Sequence, residues 1–296
     1  MSGYAISVLG GTGKSGGRVA SRLRGRDVRV ASRSGEWRFD WNDRATWDPV
    51  LDGAGAVYVV PFDGALLTRP FVERAVEVGV RRFVLLSGRG VDVPGYASGS
   101  MDGSINGPVD GPVDGPVDGS VGATHIDGES AVRGSGVSWT IVRPGWFAQN
   151  FSEGFFRDAV LAGELRLPAG DGAASFVDAD DIADVVVAAL TEDGHEGRTY
   201  ELSGPRALTM AEAAAEISAA SGRDVRYVPL SPEEFVAELV GEGWAAADAE
   251  EYAASVAPIR LGLDAHLSDG VREALGRQAR DFTDFAKAAA AAGAWR

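Results

Sequence analysis

The chain has 296 residues and a formal net charge of −15 at pH 7, with 45% hydrophobic and 24% charged residues. This composition is typical of a folded protein, and the acidic excess argues against nucleic-acid binding, which needs a concentrated basic surface. Because there is no cysteine and only three histidines, we expect neither disulfides nor a metal site. The sequence predicts no signal peptide and no membrane span, so we expect a cytoplasmic protein.

The first thirty or so residues predict a strand, a glycine-rich turn, a helix and a second strand. Residues 4–9 form a short apolar run rich in β-forming side chains, and residues 10–17 contain five glycines. Apolar residues at helical spacing follow, and residues 28–31 predict the second strand. This is the size and order of a βαβ unit.

Strands and helices continue to alternate along the chain. Further strands are predicted over 56–60, 82–86, 137–142 and 199–202, and further helices over 66–78, 124–133 and 179–191. Such alternation predicts an α/β fold, a Rossmann-like doubly wound parallel sheet with helices on both faces. The last third is mostly helical, with helices predicted over 209–221, 231–240 and 281–292.

Residues 99–122 form an unusual segment, with a glycine and an apolar residue each recurring every four residues. Repeated proline excludes a central strand. We expect a low-complexity loop insertion, the alternative being a functional lid. The aspartates of the segment lack EF-hand spacing, so we predict no metal there.

Gly10, Gly13 and Gly16 form a G-x-x-G-x-x-G pattern between the first strand and the first helix. Glycines at such a turn let the backbone approach a pyrophosphate, and the helix N-terminus offers free N–H groups to it. This placement predicts a dinucleotide site. Val8 stands where a P-loop requires glycine, which excludes a P-loop kinase or NTPase.

The end of the second strand indicates which dinucleotide is bound. An NAD site usually has an acidic residue there, whereas this strand ends at Ser32 and Arg33. Arg33 can hold a 2′-phosphate, and Lys14 can add positive charge near it, so NADP(H) is favoured over NAD.

Several segments, together with the glycine-rich start, resemble the NmrA-like branch of the atypical short-chain dehydrogenases. They are FVLLSG at 83–88, SWTIVRP at 138–144, WFAQNF at 146–151 and FVDADDIAD at 176–184. Residues 150–154 and the region around 264–267 are also similar to bacterial relatives of the ergot-alkaloid festuclavine and agroclavine dehydrogenases. The match covers nearly the whole chain outside 99–122.

The resemblance implies an NADP-binding domain over 1–148, to which 173–203 return, and a smaller substrate domain formed by 149–172 and 204–296. It also implies roles for individual residues. Those implied to bind the cofactor are Gly10, Thr12, Gly13 and Gly16 at the pyrophosphate, Arg33 at the 2′-phosphate, Asp40 and Trp41 at the adenine, and Pro61 and Ser87 at the nicotinamide. Ser32, beside Arg33 in the chain, is also expected to bind the cofactor. Those implied to line the substrate pocket are Trp146, Phe147, Gln149 and Asn150. For Trp146 and Phe147, core packing is the alternative.

The proton donor usual in short-chain dehydrogenases, Tyr-x-x-x-Lys, is missing. Tyr96 is followed four residues later by Ser100, and no lysine lies between Lys14 and Lys287. His125 is the best alternative, because Glu129 lies four residues on along a predicted helix and shares its face. A surface His–Glu pair without function is the competing interpretation. Ser87 is the second candidate catalytic residue.

The missing pair favours substrates that need little proton transfer. An iminium ion becomes a neutral amine on accepting hydride, and a quinone gives an anion that water can protonate. We therefore expect an NADPH-dependent reductase of a small cyclic metabolite, acting on an activated C=N or on a quinone or enone. The alternatives are a non-catalytic NADP(H)-sensing regulator and a non-redox isomerase or cyclase. A small-molecule partner is expected, with the protein a monomer or homodimer.

Overall fold

The computed structural model describes residues 4–93 and 121–296. The glycine-repeat segment falls outside these residues except for its last two positions, and so does Tyr96. Whether the segment is a lid or a plain insertion therefore stays a prediction.

Eleven strands occur in the described part of the chain. They are β1 (Ala5–Leu9), β2 (Val28–Ser32), β3 (Trp37–Arg38), β4 (Ala54–Val59), β5 (Arg82–Leu86), β6 (Ser138–Pro144), β7 (Glu164–Leu167), β8 (Ala173–Ala174), β9 (Arg198–Leu202), β10 (Leu208–Thr209) and β11 (Arg226–Pro229). Seven of them form one sheet in the order β3-β2-β1-β4-β5-β6-β9, with every pair parallel. The pairs β10–β8 and β11–β7 form two small separate sheets. The predicted parallel Rossmann-like sheet is confirmed.

Twelve α-helices connect and cover these strands within the same residues. They are α1 (Lys14–Arg22), α2 (Trp47–Leu51), α3 (Thr68–Glu77), α4 (Val121–Gly134), α5 (Asn150–Glu153), α6 (Arg157–Ala162), α7 (Ala179–Thr191), α8 (Met210–Ser221), α9 (Pro232–Gly241), α10 (Ala246–Arg260), α11 (Gly270–Leu275) and α12 (Phe282–Ala291). None of the helices described is both long and apolar enough to cross a membrane.

The large sheet is buried on both faces because its side chains alternate between two hydrophobic cores. Val57 and Val59 pack on one face with α2, α3 and α4. Ala56 and Tyr58 pack on the other with α1, α7 and α11. This alternation is the period-two pattern of a strand covered on both sides.

A third core gathers apolar side chains from 148–176 and 208–295. Phe151 lies within it, with its ring 5.2 Å from that of Phe176 and 5.4 Å from that of Phe282. The helices around this core begin where the sequence predicted: Thr209 caps α8 and Ser231 caps α9, each with a capping box.

Candidate functional site

A cleft of about 1120 Å³ runs along the carboxyl edge of the sheet, where ligands bind in folds of this type. Its walls are the segments that follow β1, β2, β3, β4, β5 and β6, together with parts of α4 and α10. The predicted site residues that line it are Gly10, Thr12, Gly13, Lys14, Ser32, Arg33, Asp40, Trp41, Pro61, His125, Trp146, Phe147 and Asn150. Gly16, Ser87 and Gln149 are not among its lining residues.

The glycine turn brings the start of α1 to the cleft. Gly10 has a φ of +62°, which favours glycine, and its carbonyl accepts a hydrogen bond of 2.8 Å from the N–H of Gly13. Gly13 is the N-cap of α1 and has no side chain to occupy the first N–H groups of the helix. Gly16 lies behind the turn, where a Cβ would overlap the carbonyl oxygen of Gly10. The turn therefore presents free donors to an anion.

The end of β2 offers unused polar groups at the same cleft. The hydroxyl of Ser32 is buried and has no hydrogen-bond partner among the described residues. Arg33 is exposed and forms no ion pair with residues 4–93 or 121–296. Trp41 lines the cleft nearby, with its ring 5.1 Å from that of Phe39 and 5.2 Å from that of Phe71. These residues fit a phosphorylated ribose and its adenine.

Lys14 lies elsewhere than predicted. Its ammonium donates a hydrogen bond of 2.9 Å to Oδ1 of Asn150 and lies 5.1 Å from the ring centre of Phe155. It is therefore directed to the segment after β6, and the expectation that it adds charge beside Arg33 is wrong. Burial lowers the pKa of the Lys14 ammonium below its usual value, although the Glu153 carboxylate acts in the opposite sense.

His125 lies at the end of the cleft near Gly88. A Cβ at Gly88 would be 3.4 Å from Cδ2 of the imidazole, and Nδ1 has no hydrogen-bond partner in the part of the chain that is described. Burial lowers the pKa of His125 below its usual value, although Asp63 and Glu129 act in the opposite sense. The lowered pKa favours the neutral form of the ring at pH 7.

Glu129 does not pair with His125 by a hydrogen bond. It is 3% exposed and accepts hydrogen bonds from Ser87 at 2.7 Å and from Arg143 at 2.7 and 2.8 Å. Burial raises the pKa of Glu129, but the bonds from Arg143 and Ser87 outweigh it and leave the pKa below its usual value. Glu129 therefore acts on His125 through its charge and not through a hydrogen bond, and the alternative of a surface His–Glu pair is wrong because Glu129 is buried.

Two predicted contact residues point away from the cleft. The Ser87 hydroxyl donates to Glu129 and is 3% exposed, so it does not face a ligand. The Gln149 amide donates to Asp178 at 2.8 Å, and its oxygen accepts the N–H of Ala179 at 2.7 Å. Gln149 therefore stabilises the start of α7, and its side chain does not reach the cleft as predicted.

Aromatic side chains form one wall of the cleft. Trp146 is fixed by a hydrogen bond of 3.0 Å from its Nε1 to Asp264 and by stacking on Phe156 at 5.9 Å. Phe147 lies beside it in the cleft, and Phe155 is 68% exposed at the cleft surface. A planar apolar group can pack against such a wall.

Several lining residues were not predicted from the sequence. They are Ser15, Phe39, Asn42, Val60, Phe62, Asp63, Gly88, Arg89, Val91, Gly122, Pro144, Gly145, Phe155, Glu251, Ala254, Ser255 and Pro258. Arg89 is 4% exposed and donates to Ser175 and to the carbonyl of His266, each at 2.8 Å. Glu251, Ala254, Ser255 and Pro258 belong to α10, whose sequence has no recognisable motif. Phe155 could have been suspected, because it directly follows the resembling segment that ends at Gly154.

Comparisons with known proteins agree with this geometry. A family model described as NAD(P)H-binding matches residues 10–193. The NAD(P)H azoreductase of Xenophilus azovorans is 34% identical, covering 97% of this chain and 98% of that protein. The agroclavine dehydrogenase of Claviceps fusiformis is 31% identical, covering 95% of each.

Solved structures show the same fold. The triphenylmethane reductase of Citrobacter sp., complexed with NADP(H), has a TM-score of 0.74 at 21% identity, covering 97% of this chain and 99% of that one. NmrA, a negative transcriptional regulator in complex with NAD, has a TM-score of 0.66 at 16% identity, covering 97% and 95%. The chain belongs to the NAD(P)H-binding family, and with these relatives it is an NAD(P)H-dependent oxidoreductase.

Proposed function

We propose that the protein is an NADPH-dependent reductase that passes hydride to an activated C=N, or to a quinone or enone, of a small cyclic metabolite. The observation that carries the proposal is the single cleft that joins the free start of α1 to an aromatic wall. Relatives named as an azoreductase and an agroclavine dehydrogenase support redox chemistry on small molecules.

The cofactor end of the cleft is suited to NADPH. The N–H groups at the start of α1 face the position of a pyrophosphate, and the buried Ser32 hydroxyl and exposed Arg33 meet a 2′-phosphate. No carboxylate at the end of β2 repels that phosphate. Bound NADPH supplies a hydride from its nicotinamide.

The substrate end is suited to a planar ring whose reduction needs little help from acids. Trp146 and Phe147 pack against such a ring, and the cleft holds it in place. None of the described tyrosines lines the cleft. Among the lining groups, the Lys14 ammonium is bonded to Asn150, and His125 is the proposed proton donor. A neutral imidazole can pass a proton to a hydroquinone anion or enolate when its other ring nitrogen takes one from water in the same step, whereas an iminium needs no donor.

The test is the consumption of NADPH, followed by absorbance, against a panel of cyclic iminium ions, quinones and enones, with NADH in parallel. We expect turnover in one of these classes and a preference for NADPH. Saturable NADPH binding without turnover across the panel would contradict the proposal and favour a sensor. Product formed without NADPH consumption would favour an isomerase or cyclase.

Replacing His125 separates the substrate classes. His125→Gln is expected to lower kcat for a quinone or enone by roughly tenfold to a hundredfold and to leave iminium reduction nearly unchanged. His266→Gln is the matched control, because His266 is exposed outside the cleft. Equal loss for both substrate classes would mean that His125 acts through structure and not as a proton donor.

A further inference from the structure

The carboxylate of Glu129 joins three elements at the deep end of the cleft. Glu129 belongs to α4, one turn after His125. Its Oε1 accepts from Ser87, which directly follows β5, and from Nε of Arg143 at the end of β6, both at 2.7 Å. Its Oε2 accepts from Nη2 of Arg143 at 2.8 Å and from Arg133 at 2.9 Å. One buried side chain thus fixes α4 to two strand ends.

The same strand end carries the surface on which His125 lies. Gly88 follows Ser87 directly, and a Cβ at Gly88 would be 3.6 Å from Nε2 of His125. Gly128 brings α4 close to β5, since a Cβ there would be 3.4 Å from Leu85. The distance between α4 and the Gly88 loop is therefore set by packing at Gly128 and by the bonds of Glu129.

We infer that Glu129 is a positioning residue that holds His125 against Gly88 by binding Ser87 and Arg143 at once. The positioning of His125 does not depend on the proposed function; only its role as a proton donor rests on that proposal. A fork of two parallel bonds to a guanidinium fixes both direction and distance, which a single bond would not do. Glu129 itself is not among the residues that line the cleft.

If Glu129 only stabilised α4, loss of any other side chain that binds α4 to a neighbouring element would change the His125 ring in the same way. Asp127 provides the comparison, because it anchors the other side of α4 by accepting from Nε of Arg69 at 3.2 Å. Glu129→Gln and Asp127→Asn remove one carboxylate each from the same helix. Under our inference only the first of them disturbs the His125 ring.

The experiment is nitrogen NMR of the histidine rings in the full chain, with and without NADPH. Three histidines give few signals, and His125→Gln identifies the one of interest. We expect the His125 ring signals to shift in Glu129→Gln and in Ser87→Ala, and to stay unchanged in Asp127→Asn. Unchanged signals in Glu129→Gln, or equal shifts in Asp127→Asn, would overturn the inference.

This measurement needs no substrate, so it remains decisive if the proposed reaction fails. If turnover is found, we further expect Glu129→Gln to lower kcat for a quinone or enone about tenfold without changing the KM for NADPH. Glu129→Gln leaves the charge of Arg143 buried, which can prevent folding. If Glu129→Gln does not fold, the double variant Glu129→Gln/Arg143→Gln, which removes both charges, replaces it. The same shift of the His125 ring signals is expected in the double variant.

Discussion

Replacing Gly16 by alanine tests whether close packing behind the glycine turn sets cofactor affinity. A Cβ at this position would overlap the carbonyl oxygen of Gly10 and lie 2.7 Å from its carbonyl carbon. Carbon atoms normally approach to about 3.5–4.0 Å, so α1 must move away from the turn by about 1 Å. Overpacking of this kind costs about 1–3 kcal/mol. The higher helix propensity of alanine offsets about 1 kcal/mol of that, so a net loss of up to about 2 kcal/mol in the free energy of unfolding is expected.

Gly17→Ala is the matched control for this prediction. Gly17 is the next residue of α1, and its nearest neighbour for a Cβ is the carbonyl oxygen of Gly11 at an ordinary 3.5 Å. Urea denaturation should show unchanged or slightly higher stability for Gly17→Ala. Thermal unfolding with and without NADPH then reports binding, and Gly16→Ala should lose most of the stabilisation by cofactor because the helix N-terminus is displaced. NADPH stabilisation equal to the wild type in Gly16→Ala would refute the reasoning.

Three further predictions concern charged residues. Arg33→Ser should weaken NADPH binding about tenfold or more and leave NADH binding unchanged, whereas Arg26→Ser, two residues before β2, should affect neither cofactor. Equal loss of affinity for both cofactors in titration calorimetry would contradict the 2′-phosphate contact. Asp181→Asn should lower the free energy of unfolding by about 3 kcal/mol, since its buried carboxylate is bonded to two arginines, whereas the half-exposed Asp180→Asn should cost under about 1 kcal/mol in the same urea titration. Hydrogen bonds from Arg206 lower the pKa of Asp281, so the unfolded chain binds a proton at this carboxylate more readily than the folded chain does. The free energy of unfolding should therefore decrease as the pH is lowered beneath about 4, and an acid titration without such a decrease would contradict this.

The fold was predictable because its signals are local. Alternating strands and helices of the expected lengths, with Thr209 and Ser231 as caps, all lie where the sequence placed them. What was missed has weak local signals. The strands β7, β8, β10 and β11 are two to four residues long, and α10 is rich in alanine and contains Pro258 inside the helix. Tertiary packing, not local preference, decides such elements.

The cofactor end of the site was predictable for a related reason. The turn at Gly10 and the end of β2 are properties of the backbone path, and a parallel sheet brings its strand ends to one edge whatever the side chains do. The direction of a long side chain has no such constraint. Lys14 does line the cleft, yet its ammonium binds Asn150, which is 136 residues away in the chain.

The spacing of Glu129 and His125 predicts their shared helix face correctly, but it does not predict the hydrogen-bond partners of Glu129. Spacing of four residues does place Glu129 and His125 on one face of α4. The carboxylate nevertheless meets Ser87 and Arg143, which are 42 and 14 residues away, because a charge-assisted fork in a buried site is stronger than a single bond to a neutral imidazole. His125 lines the cleft, and its buried Nδ1 is left without a hydrogen-bond partner among the described residues. Because Glu129 binds Ser87 and Arg143, it forms no hydrogen bond to His125, and the imidazole stays available to a ligand.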